Sequence, residues 1–361
     1  MITYLGNKRS FLVSIEEILK TILKELNKEK LDVFDAFSGS GIVSRFLKRY
    51  STNLYTNDLE NYCETLNKCY LKNENEIDLN QLDMYYDEIS QKLENEPLFD
   101  NGFIYKLYAP HDDKNIKEND RVFYTSRNAK YLDTARQYIE KVPEPYKSLL
   151  LGPLLYEAST KNNTAGIFKG FYKNSDTKTG QFGGNGKYAL NRITSDIKIK
   201  KPVLSKFNTN VHVFKGDANE ICKQIPKIDL AYIDPPYNQH PYGSNYFMLN
   251  LINDYIEPSP SKISKVSGIP QNWNKSKYNT KSSALKQMEK LCKDTKASYL
   301  LISYNSEGFI QIDELEKILK KIGDVKIKSF NYITYRGSRN LKNRKPYVEE
   351  YLILVHKKEI L

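Results

Sequence analysis

Asp234, Pro235, Pro236 and Tyr237 place a carboxylate, two rigid rings and an aromatic side chain in four consecutive positions. They follow the apolar run Ile228-Asp229-Leu230-Ala231-Tyr232-Ile233, which has the length of a buried strand. In an open α/β sheet, ligands bind in the crevice beyond the carboxyl ends of the strands. A group at that edge can hold a flat, amine-bearing ring. The exocyclic amine of such a ring is a poor nucleophile, because its lone pair is delocalised. Asp234 can accept one hydrogen bond from it and the Pro235 carbonyl another, favouring a tetrahedral nitrogen. Proline fixes φ and has no N–H, which steadies that carbonyl. Tyr237 can stack on the ring. The plainer reading is a proline turn after a strand.

A second cluster lies near the N-terminus. The strand-like Leu31-Asp32-Val33-Phe34-Asp35 runs into Ala36-Phe37-Ser38-Gly39-Ser40-Gly41. Gly39 and Gly41 allow positive φ and a close approach to a ligand. Asp58 stands 19 residues beyond Gly39, at the tip of the next expected strand, where an acid can accept from both hydroxyls of a ribose. No GxGxxG is present, so an adenosine-like ligand fits better than a dinucleotide. An ordinary glycine turn is the alternative.

The four cysteines, Cys63, Cys69, Cys222 and Cys292, form no CxxC pair and read as thiols in a reducing compartment, with no metal site expected. None follows a proline, so the Pro-Cys pair typical of cytosine ring-carbon methylation is missing. Any methyl transfer is then expected at nitrogen. For adenine in duplex DNA, the base must leave the stack to reach such a pocket.

The elements that must position these groups follow from the pattern. Helical spacing at 11–30 precedes strand 31–35, a helix to about Arg49, strand 53–57 and a helix at 62–71. This alternation predicts a doubly wound, mostly parallel sheet. Residues 74–160 break the rhythm, with helical pattern at 79–94 and 127–160. Residues 161–201 read as an exposed, basic, glycine-rich loop. Strands resume at 211–214, 228–233, 298–303 and 351–355.

Net charge is +11 and unevenly spread. Residues 74–100 carry −8, whereas 160–206, 258–298 and 320–348 carry +8, +7 and +8. Three basic stretches suit a nucleic-acid face, although solvated lysine in a Lys/Asn/Ile-rich composition explains charge equally well. Candidate nucleic-acid contacts are Lys169, Lys187, His240, Lys275, Lys277, Arg336, Arg339 and Arg344. No apolar run reaches membrane-spanning length, and Met1–Arg9 lacks a signal-peptide core, so a cytoplasmic, nucleoid-associated protein without membrane partners is expected.

Taken together, Tyr4-Leu5-Gly6-Asn7-Lys8-Arg9, Asp35-Ala36-Phe37-Ser38-Gly39-Ser40-Gly41, Asn57-Asp58 and Asp234-Pro235-Pro236-Tyr237 resemble the adenine-specific DNA methyltransferases of the Dam-like, D12 or α class, in the family's motif order. The segments Ser303–Gly308 and Tyr335–Asn340 look more like restriction-modification members, so GATC specificity is not implied. The resemblance implies S-adenosylmethionine as methyl donor, with Tyr4, Gly6 and Lys8 at its methionine end and Phe37, Gly39 and Gly41 lining its pocket beside Asp35. It implies Asp58 at the ribose and Asp217 at the donor's adenine amine, where a helix N-cap is the competing role.

The expected protein is therefore a Rossmann-like α/β methyltransferase that methylates the N6 amine of adenine in a specific double-stranded DNA sequence, with base flipping. Residues 1–73 and 201–361 form the catalytic domain, and 74–200 an inserted, mainly helical target-recognition region, with 161–200 assignable to either. A cognate restriction endonuclease and a monomeric or weakly dimeric state accompany this reading. The alternatives are an RNA adenine or guanine N-methyltransferase and a catalytically silent nucleic-acid-binding module.

Overall fold

The apolar runs read from the sequence become the central strands of one sheet. The computed structural model describes residues 5, 6, 8–184, 186–333 and 347–358. Its strands are β1 (Leu31–Asp35), β2 (Ser51–Asp58), β3 (Asn210–Lys215), β4 (Ile228–Ile233), β5 (Ala297–Asn305), β6 (Gly323–Ile333) and β7 (Tyr347–Lys357). They form a seven-stranded sheet in the order β3-β2-β1-β4-β5-β7-β6. β1 to β5 pair in parallel, and β7 and β6 add antiparallel at one edge. All six residues of β4 are buried, as a central parallel strand covered on both faces requires.

The strand order reverses direction between β1 and β4. Chain order runs outward through β2 and β3 on one side, and through β5 on the other. That switch point opens a crevice at the carboxyl ends of β1 and β4. Asp35 ends β1 and Asp234 follows β4, so both carboxylates come to this edge. The chain's alternation of strand and helix was thus sufficient to predict the mostly parallel α/β sheet.

The chain divides into two compact units. One comprises 7–64, 207–241 and 275–361 and contains the whole sheet. Its core includes Phe34, Ala231, Ile233, Leu300, Ile302 and Ile353, all fully buried. β6 was not expected. Its alternation is weak, because Val325 packs on the core while Ile327 is 38% exposed. Lys326 and Lys328 on this edge strand suit a strand that must resist pairing with another chain.

The second unit comprises 1–6, 65–206 and 242–274 and is helical. Its helices include Leu79–Asn95, Phe103–Tyr108, Ser126–Glu140, Tyr146–Thr160 and Phe247–Asp254. The helical pattern expected over 127–160 is split in two around Pro143 and Pro145. Buried Asp133 accepts from the backbone N–H of Ile104 and Tyr105 and from the Tyr255 hydroxyl, joining three segments. The loop that starts at 161 is less exposed than its composition suggests. Asn163 is fully buried; its Nδ2 donates to Val122 O and Gln181 O, and its Oδ1 accepts from Gly183 N. Phe168 is buried against Phe123 and Phe247. Asparagine amides satisfy the loop backbone here, a role that composition does not reveal. Among the described residues, no helix is long and apolar enough to cross a membrane.

Candidate active site

The first wall of the crevice is the turn after β1. Gly39 has φ 51° and Gly41 φ 77°, in the left-handed region where glycine is favoured. The Gly39 N–H donates to Asp58 Oδ2 at 2.8 Å, and the Glu60 N–H to Asp58 Oδ1 at 3.0 Å. Burial raises the Asp58 pKa, and these two N–H groups pull it back. Asn57, next to it, is a clamp. Its Nδ2 donates to Ala36 O and Gly216 O, both at 3.1 Å, and its own carbonyl accepts from Ser38 N at 2.8 Å. The end of β2 is thereby tied to the turns after β1 and β3.

Asp35 sits beneath this turn with no solvent exposure. Its Oδ2 accepts from Ser44 Oγ at 2.5 Å, and the Phe37 backbone N–H adds a weaker stabilisation of the carboxylate. Burial, reinforced by the charge of Asp234, pushes its pKa up to about 7 despite the Ser44 hydrogen bond. Phe37 packs edge-on against Tyr278, with ring centroids 5.2 Å apart. Asp217 caps the short helix Ala218–Ile221, accepting from Asn219 N at 2.9 Å, and its Oδ2 lies 3.0 Å from Lys277 Nζ.

The second wall is the segment after β4. Asp234 is the centre of a charged cluster. Lys8 Nζ lies 3.4 Å from Asp234 Oδ1 and 3.4 Å from Glu350 Oε2. The Tyr237 hydroxyl donates to Asp234 Oδ1 and accepts from Lys8 Nζ. Lys8 is only 3% exposed and Glu350 side chain 9%, whereas Asp234 keeps 16% of its side chain open. Burial is the main cause that lifts the Asp234 pKa to about 6; Lys8 and Tyr237 oppose it and Glu350 adds to it. The Tyr237 ring packs edge-on against Tyr304 at 5.4 Å, and its carbonyl accepts from Phe309 N.

The sheet unit therefore holds Lys8, Asp35, Phe37, Gly39, Gly41, Asp58, Asp217 and Asp234 to Tyr237. Gly6, with φ 70°, belongs to the helical unit, as do Lys169 and Lys187. Lys169 is half-buried and Lys187 exposed; in the sheet unit, His240, Lys275 and Lys277 are exposed. Lys277 is drawn to Asp217. Tyr4, Arg336, Arg339 and Arg344 lie outside the described residues.

Glu350 was not singled out from the sequence. It stands in Val348-Glu349-Glu350-Tyr351-Leu352, part of an otherwise apolar strand. An acid at a buried strand position needs a partner, and that was the available signal.

The crevice combines a glycine turn, an acid at the next strand tip and a carboxylate–tyrosine pair. Such a site can bind a nucleoside-like ligand beside an acceptor for an amine. Comparison with known proteins gives the family. The chain is 28% identical to Type II methyltransferase M.NlaIII of Neisseria lactamica, across 98% of this chain and 99% of that protein. It is 26% identical to Type II methyltransferase M.CviAII of Paramecium bursaria Chlorella virus 1, across 97% and 99%. It is 28% identical to Modification methylase StsI of Streptococcus sanguinis, where it covers 98% of this chain but spans about half, 52%, of that protein. A model of the D12 class N6 adenine-specific DNA methyltransferases matches residues 4–318, and the chain belongs to that family.

Proposed function

We propose that this enzyme transfers a methyl group from S-adenosylmethionine to the N6 amine of adenine, within a specific double-stranded DNA sequence and after flipping that base from the helix. The observation that carries the reading is Asp234, an incompletely buried carboxylate at the switch point between β1 and β4, level with the glycine turn.

The residues fit the donor. Left-handed Gly39 and Gly41 leave room for a ligand against the turn, and Asp58 is already oriented by two backbone N–H groups. A carboxylate so held retains lone pairs for ribose hydroxyls. Phe37 lines the same turn. When bound, S-adenosylmethionine supplies an electrophilic methyl on a sulfonium sulfur. The target amine donates to Asp234 and to the Pro235 carbonyl, which localises the nitrogen lone pair. Phe37, Asp58 and the Gly39–Gly41 turn would hold the donor, which would give its methyl to N6 and keep the carbon–sulfur electron pair. N6 then carries a surplus proton, and Asp234, the acceptor on that N–H, is placed to receive it. Tyr237 stacks on the flipped base, which needs its hydroxyl to leave Asp234.

Residues 74–200 are proposed as the target-recognition region, supported by the helical unit that contains 65–206. Lys169, Lys187, His240, Lys275, Lys277, Arg336, Arg339 and Arg344 are proposed contacts to DNA, and a cognate endonuclease a partner. Methyl transfer from labelled S-adenosylmethionine to unmethylated DNA, followed by digestion to nucleosides, tests the reaction. N6-methyl-2′-deoxyadenosine is the expected product; label only in N4-methyl-2′-deoxycytidine, or only on RNA competitor, would overturn the proposal.

A further inference from the structure

A buried ammonium held beside the acceptor it must not block raises a physical problem. Lys8 Nζ is 3.4 Å from Asp234 Oδ1 and almost excluded from water. If its charge were matched by Asp234 alone, the ammonium would occupy the lone pairs that the substrate amine needs. The structure supplies a second carboxylate. Glu350, on β7, approaches the same Nζ to 3.4 Å through Oε2. Its Oε1 accepts from Asn305 Nδ2 at 3.2 Å. Asn305 ends β5 and is the register partner of Glu350 across the antiparallel pair. Glu350 is thus anchored by rigid sheet, beyond the last residue of the family match, 318.

We propose that Glu350 is a positioning residue for methyl transfer: it retains the Lys8 ammonium, so that Asp234 can exchange its internal partners for the substrate amine. This role rests on the reaction proposed above. Two neighbouring acids sharing one lysine give that lysine somewhere to stay when Asp234 turns to substrate. A buried ammonium left with only the neutral Tyr237 hydroxyl would instead be strongly disfavoured. The groups facing Asp234 are Lys8, Tyr237 and Glu350, with Asp35 from β1 and Tyr232 on β4. Of these, Glu350 is the acid that also grips Lys8.

The test is steady-state methyl transfer to unmethylated plasmid DNA by wild type and Glu350→Gln across pH 5 to 8, with KM measured for both substrates. Glutamine keeps an oxygen for Asn305 but loses the charge. The expected result is a kcat lower by about tenfold, with both KM values changed less than about twofold, as for a mispositioned reacting group. The acid limb of kcat moves to lower pH, because removing a neighbouring negative charge lowers the Asp234 pKa. A kcat within twofold of wild type, or a lowered kcat with the acid limb unmoved, would overturn the proposal; the latter marks a merely structural residue. Should Glu350→Gln fail to fold, Lys8→Met/Glu350→Gln is compared with Lys8→Met. Equal kcat values are expected, since Glu350 acts through Lys8; a further tenfold loss overturns it. A wild-type reaction that yields no N6-methyladenine would overturn the reaction and this role together.

Discussion

Lys8 Nζ and Asp234 Oδ1 lie 3.4 Å apart although 226 positions separate them in the chain, and that ion pair works against the burial of the carboxylate. The ammonium favours the ionised carboxylate, while burial and Glu350 oppose it, leaving the Asp234 pKa at about 6.

The first consequence is a pH profile. Protonated Asp234 cannot accept from an amine through the protonated oxygen, so kcat/KM should fall below about pH 6, by about tenfold per unit at the limit. Initial rates between pH 4.5 and 8 at fixed ionic strength check this. An acid limb centred near pH 4 would show that Asp234 keeps an ordinary carboxylate pKa.

Asp234→Ala should reduce methyl transfer by about a hundred- to a thousandfold, in the range seen when a charge-stabilising group is removed. Lys8 retains Glu350 in that variant, so folding should survive. Calorimetric titration with S-adenosylhomocysteine should show binding within about threefold of wild type, since the partner proposed for Asp234 is the target amine rather than the donor's ribose. Full activity with unaltered binding would remove Asp234 from the chemistry.

Asp58→Ala should act in the opposite order. It deletes the acceptor of Gly39 N and Glu60 N, the group proposed to meet the donor's ribose. Loss of charge-assisted hydrogen bonds predicts donor affinity weaker by about ten- to a hundredfold. Thermal stabilisation by saturating S-adenosylhomocysteine should shrink accordingly. A kcat loss at unchanged donor affinity would contradict the ribose role.

Asn57→Ala tests the clamp between loops. Ala36 O and Gly216 O would lose their amide donor in a buried site, at a cost of about 1–3 kcal/mol. Urea denaturation should show that loss. An unchanged midpoint would mean that water replaces the amide without penalty.

Asp35 offers a stability test. Its folded pKa, about 7, exceeds the unfolded value, so the native state binds the extra proton between about pH 4 and 7. Stability from this group is therefore present at low pH and lost as pH rises through that window. Asp35→Asn cannot ionise and can still accept from Ser44 Oγ through its amide oxygen. It should be more stable than wild type at pH 8 by a few kcal/mol, on the order of the linkage for a shift of this size. Denaturation curves at pH 5 and 8 decide it; an equal difference at both values would mean that Asp35 does not titrate there.

Much of this protein is local pattern. β1, β2 and β4 announce themselves as short apolar runs ended by turn residues, and the α/β alternation makes their sheet parallel. Because parallel strands all end at one edge, Asp35, Asp58 and Asp234 had to reach that edge together. Gly39 and Gly41 were readable for the same reason, since a turn of that kind needs positive φ. Lysine side chains were not readable as contacts. Composition could not show that Lys277, though exposed, turns to Asp217.

By itself, then, the sequence determined which strands form, where they end, and which carboxylates stand at their tips, because periodicity and turn chemistry act over a few residues. Only the tertiary structure decided that Lys8 would be shared between Asp234 and Glu350, 342 residues along the chain. It alone pinned the 161–183 loop through Asn163, and added β6 at the sheet edge. Such pairings depend on where the antiparallel β5–β7 register places each side chain and on how little water remains there. Neither quantity is written in any short stretch of residues.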